Sequence, residues 1–235
     1  MIESTAWREV AGALSESDPT AKCRRVGALW PSCDRRSGWL DSMIGSPLPP
    51  VPPAGRPERP LRVRPAELPR RGLGSVEGRV ALLHAVAHIE FNAINLALDA
   101  ALRFADLGID FVADWLSVAH DEARHFAMLR DRLNRMGADY GDLPAHNGLW
   151  EMAEKTAHDP LVRMALVPRV LEARGLDVTP GMIARLRQVS DDDSVACLER
   201  ILDEEVRHVA IGSRWFRFLC GQRGLEPEAT FRRLL

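Results

Sequence analysis

The segment Asp121-Glu122-Ala-Arg-His125 has a counterpart in Glu204-Glu205-Val-Arg-His208, so the chain carries two Glu-x-x-His pairs. A lone glutamate precedes each pair by 32 or 33 residues, Glu90 in the first case and Glu172 in the second. The lone glutamates are 82 residues apart, and the pairs are 83 residues apart. Two chemically identical clusters in nearly the same register indicate two halves of one site.

Both halves lie on the apolar stripes of predicted helices. Glu90 falls within a stripe that advances in steps of four and three residues, and each Glu-x-x-His pair does so on its own helix. The spacing predicts long helices over about residues 75–105, 109–136 and 149–174, and from 190 through 219, with a crossover beginning at residues 138–146. No strand-like alternation is convincing. The sequence therefore predicts an all-α protein, a four-helix bundle with one long crossover.

Prolines modify the third of these helices. Pro160 and Pro168 both fall inside its pattern, and Pro168 lies one turn before Glu172. Because proline cannot donate a backbone hydrogen bond, we expect a kink or local distortion beside Glu172. Thr179-Pro180 then predicts the start of a short helix that runs through Val189.

The two pairs and the two lone glutamates can together hold two metal ions. Residues three apart on a helix share a face, so each pair can reach one ion. Four converging carboxylates on apolar stripes would repel one another unless cations neutralised them. Oxygen-rich ligands with one imidazole per ion suit iron, with manganese or a mixed manganese and iron pair as alternatives, better than zinc. The predicted ligands are Glu90, Glu122, His125, Glu172, Glu205 and His208.

The chain preceding the predicted bundle divides into two further segments. Residues 1–45 have helical spacing and an Asp18-Pro19 start signal, which predict a small helical appendage. Residues 46–74 are rich in proline and predict an extended strap, either packed on the bundle or acting as a linker. The strap's arginines could contact phosphates or be solvated surface charge. Residues 75–235 form the predicted bundle.

Bulk composition narrows the possible partners. The 235 residues carry a formal net charge of -2, which gives no global reason to expect DNA or an anionic membrane. No apolar run approaches the roughly 20 residues of a membrane span, and the first residues lack the pattern of a signal peptide. The four cysteines lack Cys-x-x-Cys spacing, so reduced thiols are expected. The sequence predicts a cytoplasmic protein.

Other polar residues near the predicted site have two interpretations. His84 and His88 are one turn apart, which suits a metal or a substrate, yet His88 lies roughly opposite Glu90 on a helical wheel. Tyr140, the single tyrosine, lies in a predicted loop and is a poor candidate for a radical site. Asp177 either orients a ligand histidine or belongs to a helix stop at Arg174-Gly175-Leu176-Asp177. The remaining candidates are either solvated or support the ligands through hydrogen bonds or ion pairs: Asp121, Arg124, Glu204 and Arg207.

Five stretches resemble a known bacterial family, the ferritin-like proteins of the domain of unknown function numbered 455. They are His84-Ala-Val-Ala-His-Ile-Glu90, Asp121-Glu-Ala-Arg-His-Phe126, Gly141-Asp-Leu-Pro-Ala-His-Asn-Gly-Leu-Trp150, Pro168-Arg-Val-Leu-Glu-Ala-Arg-Gly-Leu-Asp177 and Glu205-Val-Arg-His-Val-Ala-Ile-Gly212. The resemblance covers about residues 75–235 and implies a ferritin-like four-helix bundle with a di-metal carboxylate centre on the six residues above. It implies no particular reaction. A more distant similarity, of fold and site alone, is to a di-iron hydroxylase that modifies an adenosine of transfer RNA.

Three functions are compatible with such a centre. The first is an oxygen-activating di-iron oxidoreductase, a hydroxylase or an oxidase, which needs a small-molecule substrate and an electron donor. The second is the oxidation or handling of ferrous iron without an organic substrate. The third is a binding protein in which the metals staple the bundle. Transfer RNA is a partner only by the distant analogy, no DNA or membrane partner is expected, and a homodimer is possible.

Overall fold

The computed structural model of the protein describes residues 4–33, 38–44, 48–68 and 72–235. Every regular element within these ranges is a helix, and the β-type pairing among them is an isolated bridge between Arg62 and Ala145. The predicted all-α class is therefore confirmed. Ser46 and Pro47 at the start of the predicted strap, and Pro69–Arg71 near its end, lie outside the described residues.

The chain divides into two compact units. The first comprises Met1–Leu68 with Leu83–His146, and the second comprises Pro69–Leu82 with Asn147–Leu235. The three predicted segments, 1–45, 46–74 and 75–235, stay a prediction. Cys23, Cys197 and Cys220 carry free thiols, while the side chain of Cys33 lies outside the described residues.

The described residues of the first unit contain four α-helices, joined by short 3-10 turns, and the sequence marks where three of the α-helices begin. Ser4 Oγ accepts a hydrogen bond from Trp7 N, Asp18 Oδ1 from Ala21 N, and Ser75 Oγ from Gly78 N, as side-chain caps at helix starts do. The initial turns of the third helix belong to the second unit. The helices are α1 (Thr5–Ser15), α2 (Pro19–Leu29), α3 (Val76–Arg103) and α4 (Ile109–Arg135).

The helix α3 is more apolar than inspection of the sequence indicated. It is long and apolar enough to span a membrane by length and composition, but 78% of its most apolar window is buried within the protein. A core helix of a soluble protein has this property. Its buried face includes Leu83, Ala87 and Ile94, so α3 forms part of the core.

Over residues 48–68, the proline-rich strap packs against other parts of the protein and is not a free linker. Gly55 N donates to Leu14 O at 2.9 Å, and a Cβ on Gly55 would lie 2.1 Å from Ser15 O, so only glycine fits at this contact. Ala145 N donates to Leu61 O at 3.0 Å, and Val63 N donates to Ala145 O at 2.9 Å. These bonds attach the strap to the end of α1 and to the crossover.

The second unit contains the remaining helices. A π-helical segment, Val167–Glu172, leads without a break from one α-helix into the next. In chain order, the helices of the second unit are α5 (Gly148–Lys155), α6 (Pro160–Leu166), the π-helical segment, α7 (Ala173–Gln188), α8 (Asp192–Gln222) and α9 (Pro227–Leu234).

Two predictions for this part of the chain were wrong. Residues 149–174 do not form one helix, because Asp159 accepts from Leu161 N and starts a new helix with Pro160 in its opening turn. Pro180 does not start a short helix but lies inside α7. Pro180 is exposed, so water can reach the backbone where its ring removes a helical hydrogen bond.

Candidate metal centre

Three of the predicted ligands lie together in the first unit. The helix α3 supplies Glu90, and α4 supplies Glu122 and His125 from one face. Each of the three offers one ligand atom, and these atoms lie within 4.8 Å of one another. His125 Nδ1 is 3.1 Å from Glu90 Oε2 and 3.4 Å from Glu122 Oε2. All three side chains are almost fully buried.

The pKa values of these groups are strongly perturbed. Burial, followed by the charge of Glu122, raises the pKa of Glu90 well above its usual range, although His125 opposes this shift. Burial alone would lower the pKa of His125, but hydrogen bonds to Glu122 and Glu90 and their negative charges raise that pKa to about 11. Protons therefore compensate the carboxylates when no metal is bound.

This arrangement fits a divalent cation. His125 Nδ1 faces both carboxylates and shares a hydrogen bond with Glu90 Oε2, so a cation could take the place of the proton between these atoms. One divalent ion would balance the charge of the two carboxylates and leave the imidazole neutral, as metal ligation requires. Two carboxylates and one imidazole are hard and borderline ligands, which suit iron or manganese.

The second unit repeats the Glu-x-x-His geometry on α8. His208 Nδ1 is 3.5 Å from Glu205 Oε1, close to the corresponding 3.4 Å in the first unit. His208 is fully buried, whereas the side chain of Glu205 keeps 12% of its surface exposed. The sequence repeat therefore has a structural counterpart in each unit.

The π-helical segment places Glu172 beside α8. The helix α7 and α8 are joined by a short turn and pack as an antiparallel pair. A Cβ on Gly212 would lie 2.3 Å from Pro168 Cγ, so Pro168 rests directly on Gly212. Glu172 follows Pro168 by four residues and His208 precedes Gly212 by four, which puts Glu172 and His208 at the same level of the pair.

Gly212 is a residue whose role the sequence analysis missed. A glycine within a helix costs about 1 kcal/mol relative to alanine, so its position on an apolar stripe one turn after His208 signals a close contact. The expected distortion at Pro168 takes the form of the π-helical segment, and π-helical turns occur frequently at functional sites.

The secondary candidates occupy supporting or exposed positions. Asp121 Oδ1 accepts from Arg124 Nη2 at 2.5 Å, and Glu204 pairs with Arg200. Asp177 and Arg207 are exposed. These contacts place Asp121, Arg124 and Glu204 in ion pairs within their own helices.

The two histidines upstream of Glu90 contact the crossover. Gly141 N donates to His84 Nε2 at 2.9 Å, and His88 Nδ1 lies 2.9 Å from the hydroxyl of Tyr140. His88 Nε2 lies 3.1 Å from His146 O and 3.1 Å from Asn92 Nδ2, so both ring nitrogens have polar neighbours. Burial lowers the pKa of His84, and it lowers that of His88 to about 4. Both rings are held neutral against this loop.

Comparison with known proteins identifies the family. The family described as "Protein of unknown function (DUF455)" matches residues 15–235, so the chain belongs to it. An uncharacterized protein of Haemophilus influenzae is 45% identical over 240 residues, which cover 97% of this chain and 82% of the relative. No solved structure matches the chain.

Proposed function

We propose that the protein is a non-haem di-iron carboxylate protein with the helix arrangement of a ferritin-like four-helix bundle. The observation that carries the proposal is the buried cluster of Glu90, Glu122 and His125, whose ligand atoms lie within 4.8 Å of one another. The repeated pair Glu205 and His208, with Glu172 level with His208, supplies the matching second half. The fold proposal rests on the resemblance of the quoted motifs and on the all-helical architecture.

The residues themselves favour a redox metal over a structural one. Structural zinc sites are usually closed by four ligands and often use thiolates, whereas no cysteine is among the proposed ligands. A pair of iron ions would supply two-electron chemistry with dioxygen, and manganese or a mixed manganese and iron pair is the alternative. We therefore propose an oxygen-activating oxidoreductase, a hydroxylase or an oxidase.

The chain has separate tasks in this reaction. Glu90, Glu122 and His125 are at most 3% exposed, so the first half binds its ion away from water. Glu172 is half-buried and Glu205 is partly exposed, so the second half is the side where a substrate or an exchangeable ligand could approach. The Pro168 distortion next to Glu172 gives the helix room to adjust there.

Iron handling without an organic substrate is the second proposal. A storage protein assembles many copies into a closed shell, and the strap and the α1–α2 pair would have to fit on such a shell. The packed strap is an addition that iron storage does not need. We therefore favour an enzyme, in the cytoplasm, with a small-molecule substrate and an electron donor as partners and a homodimer as a possible assembly.

Anaerobic loading with ferrous iron, followed by exposure to air, tests the proposal. We expect iron binding to saturate at about two ions per chain. A di-ferric absorption band should appear when oxygen is admitted. Adding an electron donor should then restore the ferrous state and permit a second cycle of oxygen consumption. Binding of iron without any oxygen-dependent spectral change would contradict an oxygen-activating role, and the absence of saturable iron binding would contradict the site itself.

A further inference from the structure

Arg169 joins the π-helical segment to α9 within the second unit. Its Cζ atom lies 4.2 Å from the centroid of the Phe231 ring on α9 and 4.5 Å from the centroid of the Phe216 ring on α8. The two rings are 6.0 Å apart and inclined at 69° to each other. Arg169 therefore lies in the angle between two aromatic rings that belong to different helices.

The two rings take the place of a carboxylate partner for Arg169. In the part of the chain that the structure describes, no aspartate or glutamate forms an ion pair with Arg169, whereas Arg223 pairs with Asp159. Burial, followed by the positive charge of Arg217, lowers the pKa of Arg169. The negative face of an aromatic ring attracts a cation, and more strongly where water is excluded. The guanidinium group is therefore held in place by the rings.

The helix α9 depends on its neighbours for its position. It has eight residues, and isolated helices shorter than about 12–15 residues are marginal in water. Thr230 of this helix is buried and Phe231 is half-buried. The contacts of Phe231 with Arg169 and with Phe216 therefore contribute to docking α9 on the second unit.

The contact of Arg169 lies one turn of α8 beyond the contact of Pro168. Pro168 rests on Gly212, and Arg169 lies over Phe216, which is four residues further along α8. Consecutive residues of a helix point in different directions, so these two contacts together fix the rotation of the π-helical segment about its axis. Glu172 is the last residue of this segment, so its direction depends on that rotation.

The π-helical turn needs contacts of this kind. Such turns are rare, and a return to α-helical hydrogen bonding would turn Glu172 relative to Pro168, because the two helix types differ in residues per turn. We propose that α9 is a latch, which holds Arg169 against α8 and thereby directs Glu172 toward the Glu-x-x-His pair of α8. This role rests on the proposed function, since it makes Arg169 a positioning residue for a metal ligand.

Substitutions in the full-length protein open the latch from either side. Arg169→Gln removes the cation, and Phe231→Leu removes the aromatic face but keeps an apolar side chain. Arg169→Lys keeps a cation over the rings and is the conservative variant. The matched controls are Arg233→Gln, at an exposed position of α9, and Phe218→Leu, at a ring of α8 that is 44% exposed.

Hydrogen exchange measures the latch without any metal. Arg169→Gln and Phe231→Leu should each speed the exchange of the amides of residues 167–172 roughly tenfold, while the amides of α4 in the first unit should not change. The two control variants should exchange like the wild type. If Arg169→Gln does not fold, the result with Phe231→Leu decides.

Anaerobic titration with ferrous iron measures the consequence for the metal centre. The half-saturating iron concentration should rise roughly tenfold in Arg169→Gln and in Phe231→Leu, because a ligand that is no longer oriented binds metal more weakly. Arg169→Lys should recover part of this loss, and the control variants should bind iron like the wild type.

Two results would overturn the latch. The first is unchanged exchange of residues 167–172 in both latch variants. The second is faster exchange with an unaltered iron titration, which would show that Arg169 does not position Glu172. Wild-type protein that binds no iron would instead contradict the proposed function, and hydrogen exchange would still decide whether α9 holds the π-helical segment.

Discussion

The two halves of the candidate centre contain the same types of ligand residue, but the helices that carry these residues differ. In the first half, Glu90, Glu122 and His125 project from two regular helices and are nearly fully buried. In the second half, Glu172 ends a π-helical segment, and the side chain of Glu205 is partly exposed. The histidine nitrogen nevertheless lies 3.4 Å from its glutamate in one half and 3.5 Å in the other.

The geometry of a Glu-x-x-His pair therefore does not depend on how regular the helix is that carries the lone glutamate. The spacing of three residues within a Glu-x-x-His pair sets the local geometry, since any regular α-helix brings such residues to one face. What differs is the helix that carries the lone glutamate. A regular helix fixes Glu90, whereas the Pro168 contact with Gly212 shapes the helix that carries Glu172. We interpret the first half as the rigid side and the second as the adaptable side.

The largest expected effect is the loss of metal on removal of a buried ligand. Glu122→Ala removes a fully buried carboxylate, so bound metal should fall from about two ions per chain to one or none. Glu205→Ala should likewise lower the metal content, because it removes one of the predicted carboxylate ligands. Metal content is measured by elemental mass spectrometry after gel filtration. Asp121→Ala and Glu204→Ala, which alter paired carboxylates next to the ligands, are the matched controls and should keep both ions.

If Glu122→Ala retains as much metal as its Asp121→Ala control, Glu122 is not a metal ligand and the assignment of the first-half ligands is wrong. Unchanged metal content in Glu205→Ala would likewise contradict the assignment of Glu205 as a ligand.

The next effect is on stability, through the contact between Gly212 and Pro168. An added Cβ at Gly212 would meet the rigid proline ring at 2.3–2.4 Å, so Gly212→Ala should lower the free energy of unfolding by about 2 kcal/mol. Urea denaturation measures this. Gly181→Ala, at a helical position with no heavy atom within 4 Å of the added Cβ, should instead raise stability by about 0.5–1 kcal/mol.

Pro168→Ala tests the cause of that loss. Combined with Gly212→Ala it should recover part of the stability, which appears as a coupling energy in a double-mutant cycle. Strictly additive effects of the two substitutions would show that the contact does not hold the π-helical segment on α8.

Part of this account was readable from the sequence and part was not. The stripes placed the Glu-x-x-His pairs on helices, because a period of 3.6 residues is a local property. The break at Pro160 was readable too, since Asp159-Pro160 has the same form as the Asp18-Pro19 signal that correctly predicted α2. The π-helical segment was not, because its hydrogen bonds depend on packing against α8 and leave no periodic signature.

The smallest expected effect concerns the crossover beside the first half. His84 accepts from Gly141 N as a neutral ring, and its pKa in the folded protein is lower than the usual 6.5. The unfolded chain therefore binds a proton first as the pH falls. Stability from this contact is complete above about pH 6.5 and is lost as the pH falls through the lowered pKa.

We therefore expect the Gly141 amide to exchange faster, relative to its intrinsic rate, as the pH falls below 6.5. The expected loss of protection corresponds to about 1 kcal/mol, the contribution of one hydrogen bond. In His84→Phe the relative rate should be faster throughout and independent of pH over this range. A wild-type amide whose relative exchange does not change as the pH falls below 6.5 would show that a neutral His84 does not hold the crossover.

The central claim is that the two halves together hold two transition-metal ions. The most direct test is elemental mass spectrometry of the full-length protein purified from its own host without added metal or chelator. Our account predicts close to two ions of iron or manganese per chain. Treatment with a strong chelator should remove both ions and lower the thermal stability of the protein. Protein that is folded, free of transition metal and unable to take up iron or manganese afterwards would contradict it.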